Sequence, residues 1–270
     1  MHGCQYNKFH TETEPTTNTT PNTTMTKLVK SLRKSTQKTL SISVTNLENK
    51  SKMLISHKHK FITIDIPKTG TRSFRESLLP LDVVDIHGKP NLDSEFYQHD
   101  GAIRAKKQFI RYNFNWDDYF KFTIVRNPWQ RYFSFFKYFK SYGEKYMRGD
   151  ESINWREPEI NQGKLCVELF KNKDNQTVLK NIILNNNSQD SYFCDESGKI
   201  IVDHIAEFED LQNEFFLLCD KVGIQAPTLQ YGNKSSNHLN LYNIYTQELI
   251  DLVAEKEKRV ITLNSYDYIA

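Results

Sequence analysis

Three observations predict an α/β fold with a parallel sheet flanked by helices. Apolar runs of strand length alternate with amphipathic segments of helix length. Two of those runs, Phe61–Ile66 and Phe120–Val125, stop at short polar junctions that open a helix. The 270 residues suffice for one substantial α/β core.

In chain order, residues 1 to about 24 are rich in Thr and Asn without hydrophobic period and predict disorder. Asn18 and Asn22 begin Asn-x-Thr sequons, which matter only in a secreted protein. Residues 25–45 set Leu28, Val29, Leu32 and Leu40 beside Lys27, Lys30, Lys34 and Lys38. That pattern suits a basic amphipathic helix on a membrane surface. It suits a solvated, loosely helical leader better, because so few of its residues are apolar. The expected division is a leader over 1–56 and a domain over 57–270; Met53 is a second natural start, which would make residues 1–52 dispensable for catalysis.

Within the domain, strands are expected near 60–66, 81–86 and 119–125, and helices near 71–79, 100–112 and 129–141. This alternation implies parallel strands joined by right-handed crossovers. Strand order stays open. Residues 143–163 read as a polar, irregular, substrate-side loop, in which Arg148, Trp155 and Arg156 suit an anionic sugar or simple solvation. Helices near 164–171 and 175–185, a strand or hairpin over 191–208, and helices at 209–221 and 246–258 complete the expected fold. Asn233–Ser236 reads equally as a lid over the site or a polar connector.

The first junction, Pro67-Lys68-Thr69-Gly70-Thr71-Arg72-Ser73, gathers unpaired backbone N–H groups at a helix start beside a lysine. Such amides, with the helix dipole behind them, attract phosphate or sulfate. The alternative makes Lys68 a solvated loop residue and Thr71 or Ser73 a helix cap. A Walker loop requires Gly-Lys-Ser/Thr. Here the lysine precedes the glycine, and the three Gly-Lys pairs elsewhere are followed by Pro90, Leu165 and Ile200. An ordinary ATPase or GTPase is therefore disfavoured.

The second junction is Arg126-Asn127-Pro128-Trp129-Gln130-Arg131, with Ser134 a little further on. Arg126 sits at a strand tip, Pro128 suits the first position of a helix, and Arg131 and Ser134 share a helix face. An arginine fork with a hydroxyl matches a cluster of phosphate oxygens. The alternative leaves both arginines as surface charges. Trp129, Tyr132, Phe133, Phe135 and Phe136 are expected in the core.

Both junctions in this order, each after a strand, resemble the two nucleotide signatures of the sulfotransferases that use 3′-phosphoadenosine-5′-phosphosulfate (PAPS). The stretch WDDYFKFTIVRNPWQR is similar in particular to the carbohydrate-type branch, which includes the Golgi polysaccharide enzymes. The likeness extends through Gln189, the segment Phe193–Ile205, Phe208-Glu209-Asp210-Leu211, Asn233–Ser236 and the final helix near Tyr245-Thr246, and so covers roughly 58–270. Glu207 departs from it, standing where the family often has a basic residue. Thr71 and Arg72 stand where relatives vary among glycine, threonine and serine.

The resemblance implies the sulfotransferase fold and transfer of a sulfuryl group from PAPS to a hydroxyl by in-line displacement, leaving 3′,5′-bisphosphoadenosine. Lys68 would stabilise the bridging oxygen, the amides of Thr69, Gly70, Thr71, Arg72 and Ser73 would hold the 5′-phosphosulfate, and Arg126 with Ser134 would hold the 3′-phosphate. A carbohydrate or other hydroxyl acceptor is implied as partner, and no metal is required. A histidine near neutral pKa suits the base. Of eight histidines, His87 is placed at the carboxyl edge of a strand. His99, in Tyr97-Gln98-His99-Asp100, resembles a histidine common before this helix in the branch and is preferred.

Composition excludes several classes. Residues 1–56 carry eight basic and three acidic side chains, +5, while the whole chain is +3, so the domain is near −2 and lacks the basic surface of a nucleic-acid binder. Cys4, Cys166, Cys194 and Cys219 form no CxxC pair, which disfavours a zinc site and suits free thiols in a reducing compartment. No apolar stretch approaches the roughly 18 residues of a membrane span, and no secretory h-region opens the chain. A cytoplasmic enzyme is expected, or a Golgi-luminal one if an anchor is missing. A small-molecule kinase with P-loop ancestry and a non-catalytic nucleotide-binding protein are the alternatives.

Overall fold

The computed structural model describes residues 53–79, 96–229 and 243–268. The leader through residue 52, the expected strand at 81–86, His87, Asn233–Ser236 and His238 lie outside the described residues.

The described sheet has four strands in the order β1 (Ile55–Ser56), β2 (Phe61–Ile64), β3 (Phe120–Val125) and β4 (His204–Glu207). β1 is antiparallel to β2, whereas β2, β3 and β4 are mutually parallel. Every residue of β2 is buried, the mark of a strand covered on both faces. Met53, Leu54 and Ile55 are buried too. The folded part thus takes in Met53–Ser56, four residues on the leader's side of the expected boundary.

The helices are α1 (Thr71–Leu78), α2 (Ala102–Arg111), α3 (Pro128–Arg148), α4 (Glu157–Phe170), α5 (Asn175–Asn185), α6 (Leu211–Lys221), α7 (Gln247–Lys256) and α8 (Lys258–Asn264). α1, β3 and α6 lock through aromatic rings: Phe74 stacks on Phe122 at 5.3 Å and meets Phe215 edge-on at 4.9 Å. The five aromatic residues assigned to the core at the start of α3 are all buried there. Cys166, Cys194 and Cys219 are free and buried, and burial pushes the Cys166 thiol up to about 12.

Three expectations change. The irregular loop over 143–163 is mostly helix: α3 continues to Arg148 and α4 begins at Glu157. Two glycines explain this. Gly143 lies against the α4 backbone at Cys166, and a Cβ at Gly163 would fall 2.3 Å from Cγ of Tyr146. The two helices approach closely only because these side chains are missing. α3 stops where Gly149 turns left-handed, and Pro158 sits in the first turn of α4. Of the strand or hairpin expected over 191–208, the strand is β4, which pairs with β3, and the hairpin is reduced to one bridge, Cys194 with Ile200, closed by a turn in which Gly198 has φ +83°. The last helix breaks at Glu257 into α7 and α8.

Candidate active site

Parallel pairing decides where the site forms. Ile64 sits opposite Thr123, and Val125 opposite Glu207. All three strands therefore release their chains at one edge: β2 into Asp65–Gly70, β3 into Arg126-Asn127, and β4 into Phe208–Asp210. Ligands of open α/β sheets collect at this edge.

The loop after β2 is built tightly. Thr69, fully buried, donates its Oγ1 hydrogen to Ile66 O at 2.8 Å and closes the turn. Lys68 (φ +70°) and Gly70 (φ +83°) are both left-handed. Gly70 is required twice over, since a Cβ there would also lie 2.6 Å from the Phe208 ring. Gly70 precedes α1 and supplies no side-chain cap. The amide of Ser73 donates to Gly70 O at 3.0 Å, so the N–H groups at the very start of the helix are those of Thr71 and Arg72. The side chain of Arg72 turns outward to Glu76 at 2.6 Å, so this residue can serve the site only through its backbone.

Arg126 approaches that loop from β3. Its Nη1 lies 3.5 Å from Lys68 O, and its guanidinium covers the Phe208 ring with Cζ 4.1 Å from the centroid. The peptide of Arg126 is clamped by Gln189, whose amide accepts from Arg126 N and donates to Arg126 O, both at 2.9 Å. Arg126 Nε is buried with no hydrogen-bond partner among the described residues. Burial lowers the guanidinium pKa to about 10, against the opposing charge of Glu209. Glu209 itself is occupied, accepting from Asn127 N at 2.9 Å and from the Tyr266 hydroxyl at 2.8 Å. Asn127 caps α3 by accepting from Gln130 N and donates its Nδ2 hydrogen to Asp267 O, which fixes the junction from three directions.

Arg131 behaves differently. It is fully buried, donates from Nε to Pro67 O at 3.0 Å, and pairs through Nη1 with Glu257 at 3.1 Å. It holds the loop to α3 rather than facing a ligand. One turn on comes Ser134, half-buried, and a further turn on comes Tyr138, whose ring lies 4.3 Å from Lys68 Nζ. Arg131 and Tyr138 both touch the Pro67–Lys68 loop, so Ser134 between them shares the face of α3 turned to it. Lys137 adds a further cation, its pKa lowered by burial and by the charge of Arg126. Cations gathered so closely favour an anionic ligand.

His99 reaches the same edge from the segment before α2. It is buried, has φ +67°, and its Nδ1 lies 2.9 Å from Asp65 O. A carbonyl only accepts, so Nδ1 carries the hydrogen and Nε2 is the basic nitrogen of the neutral ring. Asp65 is buried beside Arg75 at 3.4 Å, and its pKa is raised by desolvation, which Arg75 partly offsets. His204 instead pairs with Glu214 at 2.7 Å, away from this edge.

Lys68, Thr69, Gly70, Thr71, Ser73, His99, Arg126 and Ser134 are thus brought to one sheet edge. Sequence reasoning passed over Lys137 and Tyr138, which the helical period points to at three and four residues beyond Ser134, and over Phe208 as the ring that Arg126 covers. Gln189 was noticed without its task as the backbone clamp. Among the described residues no group of three or more His, Cys, Asp or Glu could hold a metal, and no helix is long and apolar enough to cross a membrane. A family model described as the sulfotransferase family matches residues 51–263. Comparison with curated proteins and with solved structures gives no match.

Proposed function

The chain belongs to the sulfotransferase family, and we propose that it transfers the sulfuryl group of PAPS to a hydroxyl of a carbohydrate acceptor. The observation that carries this reading is the meeting of the two signature segments, with Arg126 Nη1 3.5 Å from Lys68 O and Arg126 Nε buried without a partner among the described residues. A buried, unpartnered guanidinium nitrogen is costly, and a phosphate oxygen satisfies it. Two left-handed residues, an uncapped helix start and three cations suit a ligand with phosphate at both ends.

PAPS, when bound, supplies an activated sulfuryl group with a phosphate as its leaving group. The amides from Thr69 to Arg72 would hold the 5′ end, and Arg126 with Ser134 the 3′-phosphate. Lys68 would set its ammonium against the negative charge that develops as the bond breaks. His99 would take the acceptor's proton at Nε2, its ring fixed by the Nδ1–H bond to Asp65 O. Positioning and charge do the work, as in phosphoryl transfer.

Transfer of labelled sulfate from PAPS to a panel of unsulfated glycans tests the reading. Product is expected with the unaltered protein, and Lys68→Ala should lower turnover by about 100-fold or more. Undiminished transfer by both Lys68→Ala and Arg126→Ala would discard the site. Calorimetry separates the alternatives: binding of 3′,5′-bisphosphoadenosine without ATP supports the proposal, and magnesium-dependent ATP binding favours a kinase. Binding with no turnover on any acceptor leaves a nucleotide-binding protein.

A further inference from the structure

Lys68 carries its side chain from a backbone that few lysines adopt. A left-handed backbone is unfavourable for a residue that bears a side chain, and glycine would avoid the strain. The lysine is kept here at φ +70°, and its ammonium rests over the Tyr138 ring, 4.3 Å from the centroid. That ring is itself held. Its hydroxyl accepts from Nε2 of buried Gln162 on α4 at 3.1 Å, and it packs against Phe139 at 5.5 Å and Tyr142 at 5.9 Å.

Resting on the role given to Lys68 above, we infer that Tyr138 is a positioning residue: its ring face keeps the Lys68 ammonium charged and aimed along the loop, and Gln162 sets the ring. The need is physical. A lysine has a flexible four-carbon stem and loses its proton readily when partly buried among other cations. Among the described residues, the charged groups turned to this loop include Arg126 from the end of β3, Lys137 on α3, His99 ahead of α2, and the Asp65–Arg75 pair at the loop's base. Arg126, Lys137 and Arg75 among them are positive. The electron-rich face of an aromatic ring offsets that repulsion without competing, as a carboxylate would, for the anion that Lys68 serves. A ring also fixes position, and charge placed before the bond breaks costs no reorganisation during reaction.

Two measurements test this. In the protein without nucleotide, the rate at which acetic anhydride acylates Lys68, followed by mass spectrometry at fixed pH, reports how strongly the ammonium is held. Tyr138→Leu and Tyr138→Met should be acylated about three- to tenfold faster, while Tyr138→Phe, which keeps the ring face, stays within about twofold. In sulfate transfer, the Leu and Met variants should lose about ten- to a hundredfold in kcat with KM for PAPS within about threefold, and Phe should restore kcat. Unchanged acylation and kcat in the Leu and Met variants would overturn the inference. So would a Phe variant as impaired as they are, because the hydroxyl and its bond to Gln162 would then matter rather than the ring. Failure of the reading it rests on is told apart: either no protein, altered or not, transfers sulfate, or Lys68→Ala transfers it normally, and in both cases the acylation contrast stands without catalytic effect.

Discussion

Arg126 and Arg131 stand five residues apart in one motif, have the same charge, and do different work. Arg131 is wholly enclosed and answered by Glu257, by Pro67 O and by Asn187 O at 3.2 Å, with only Nη2 left over. Glu257 is answered in turn by the Tyr132 hydroxyl and by Gln189 N, both at 3.0 Å. Arg126 lies at the sheet edge, stacked on a ring, with a carbonyl at long range and Nε unanswered among the described residues. A buried cation surrounded by its own acceptors is scaffold. One lacking them is held ready for a ligand, and the protein bears the desolvation in the meantime.

The sharpest way to break this contrast is to remove Arg131. Arg131→Ala strands the Glu257 carboxylate in the core, and such a loss costs about 3–5 kcal/mol. Urea denaturation should show it, and nucleotide binding should fail with the fold. A variant as stable as the parent would make Arg131 a ligand residue after all. Arg126→Ala should do the reverse. Its neighbour Glu209 keeps Asn127 N and the Tyr266 hydroxyl, so stability should change by less than about 1 kcal/mol. Affinity for 3′,5′-bisphosphoadenosine should fall about ten- to a hundredfold by calorimetry, the worth of charge-assisted hydrogen bonds. Loss of fold in this variant would erase the distinction.

The sequence reading reached this contrast only in part. The strand–loop–helix junctions were legible because the apolar runs Phe61–Ile66 and Phe120–Val125 end sharply at polar segments, and parallel strands bring such ends to one edge. The division of labour between the two arginines was not, because it turns on Glu257, 126 residues after Arg131, and on the break between α7 and α8 that presents its carboxylate. Polar composition hid the true length of α3 and α4 as well. Tyr146 sits where only Gly163 of the facing helix leaves room for its ring. Tyr138 escaped notice for the same reason: an aromatic side chain on a helix next to core phenylalanines looks like packing until Lys68 is seen above it.

Titration sharpens the comparison with a smaller effect. Burial lowers the pKa of Arg126 to about 10, so its positive charge is complete at neutral pH and is lost as pH rises through about 10. Affinity for bisphosphoadenosine should therefore be level from about pH 7 to 9 and fall above about 10, by up to about tenfold per unit. Arg126→Ala should bind weakly but without that decline. The same decline in the variant would assign the titration to another group, Lys137 first among them.

Ser134 offers the smallest test and the most specific one. It lies on α3 between Arg131, which touches Pro67 O, and Tyr138, which lies under Lys68, so its face is set by the scaffold and not by its own bonds. Ser134→Ala removes a hydroxyl and favours the helix slightly. Stability should stay level or rise by a few tenths of a kcal/mol. Affinity for 3′,5′-bisphosphoadenosine should drop about three- to tenfold, one neutral hydrogen bond's worth, and affinity for adenosine 5′-phosphate, which lacks the 3′ group, should not change. Equal losses for both ligands would place the hydroxyl at the 5′ end of the nucleotide and separate it from Arg126.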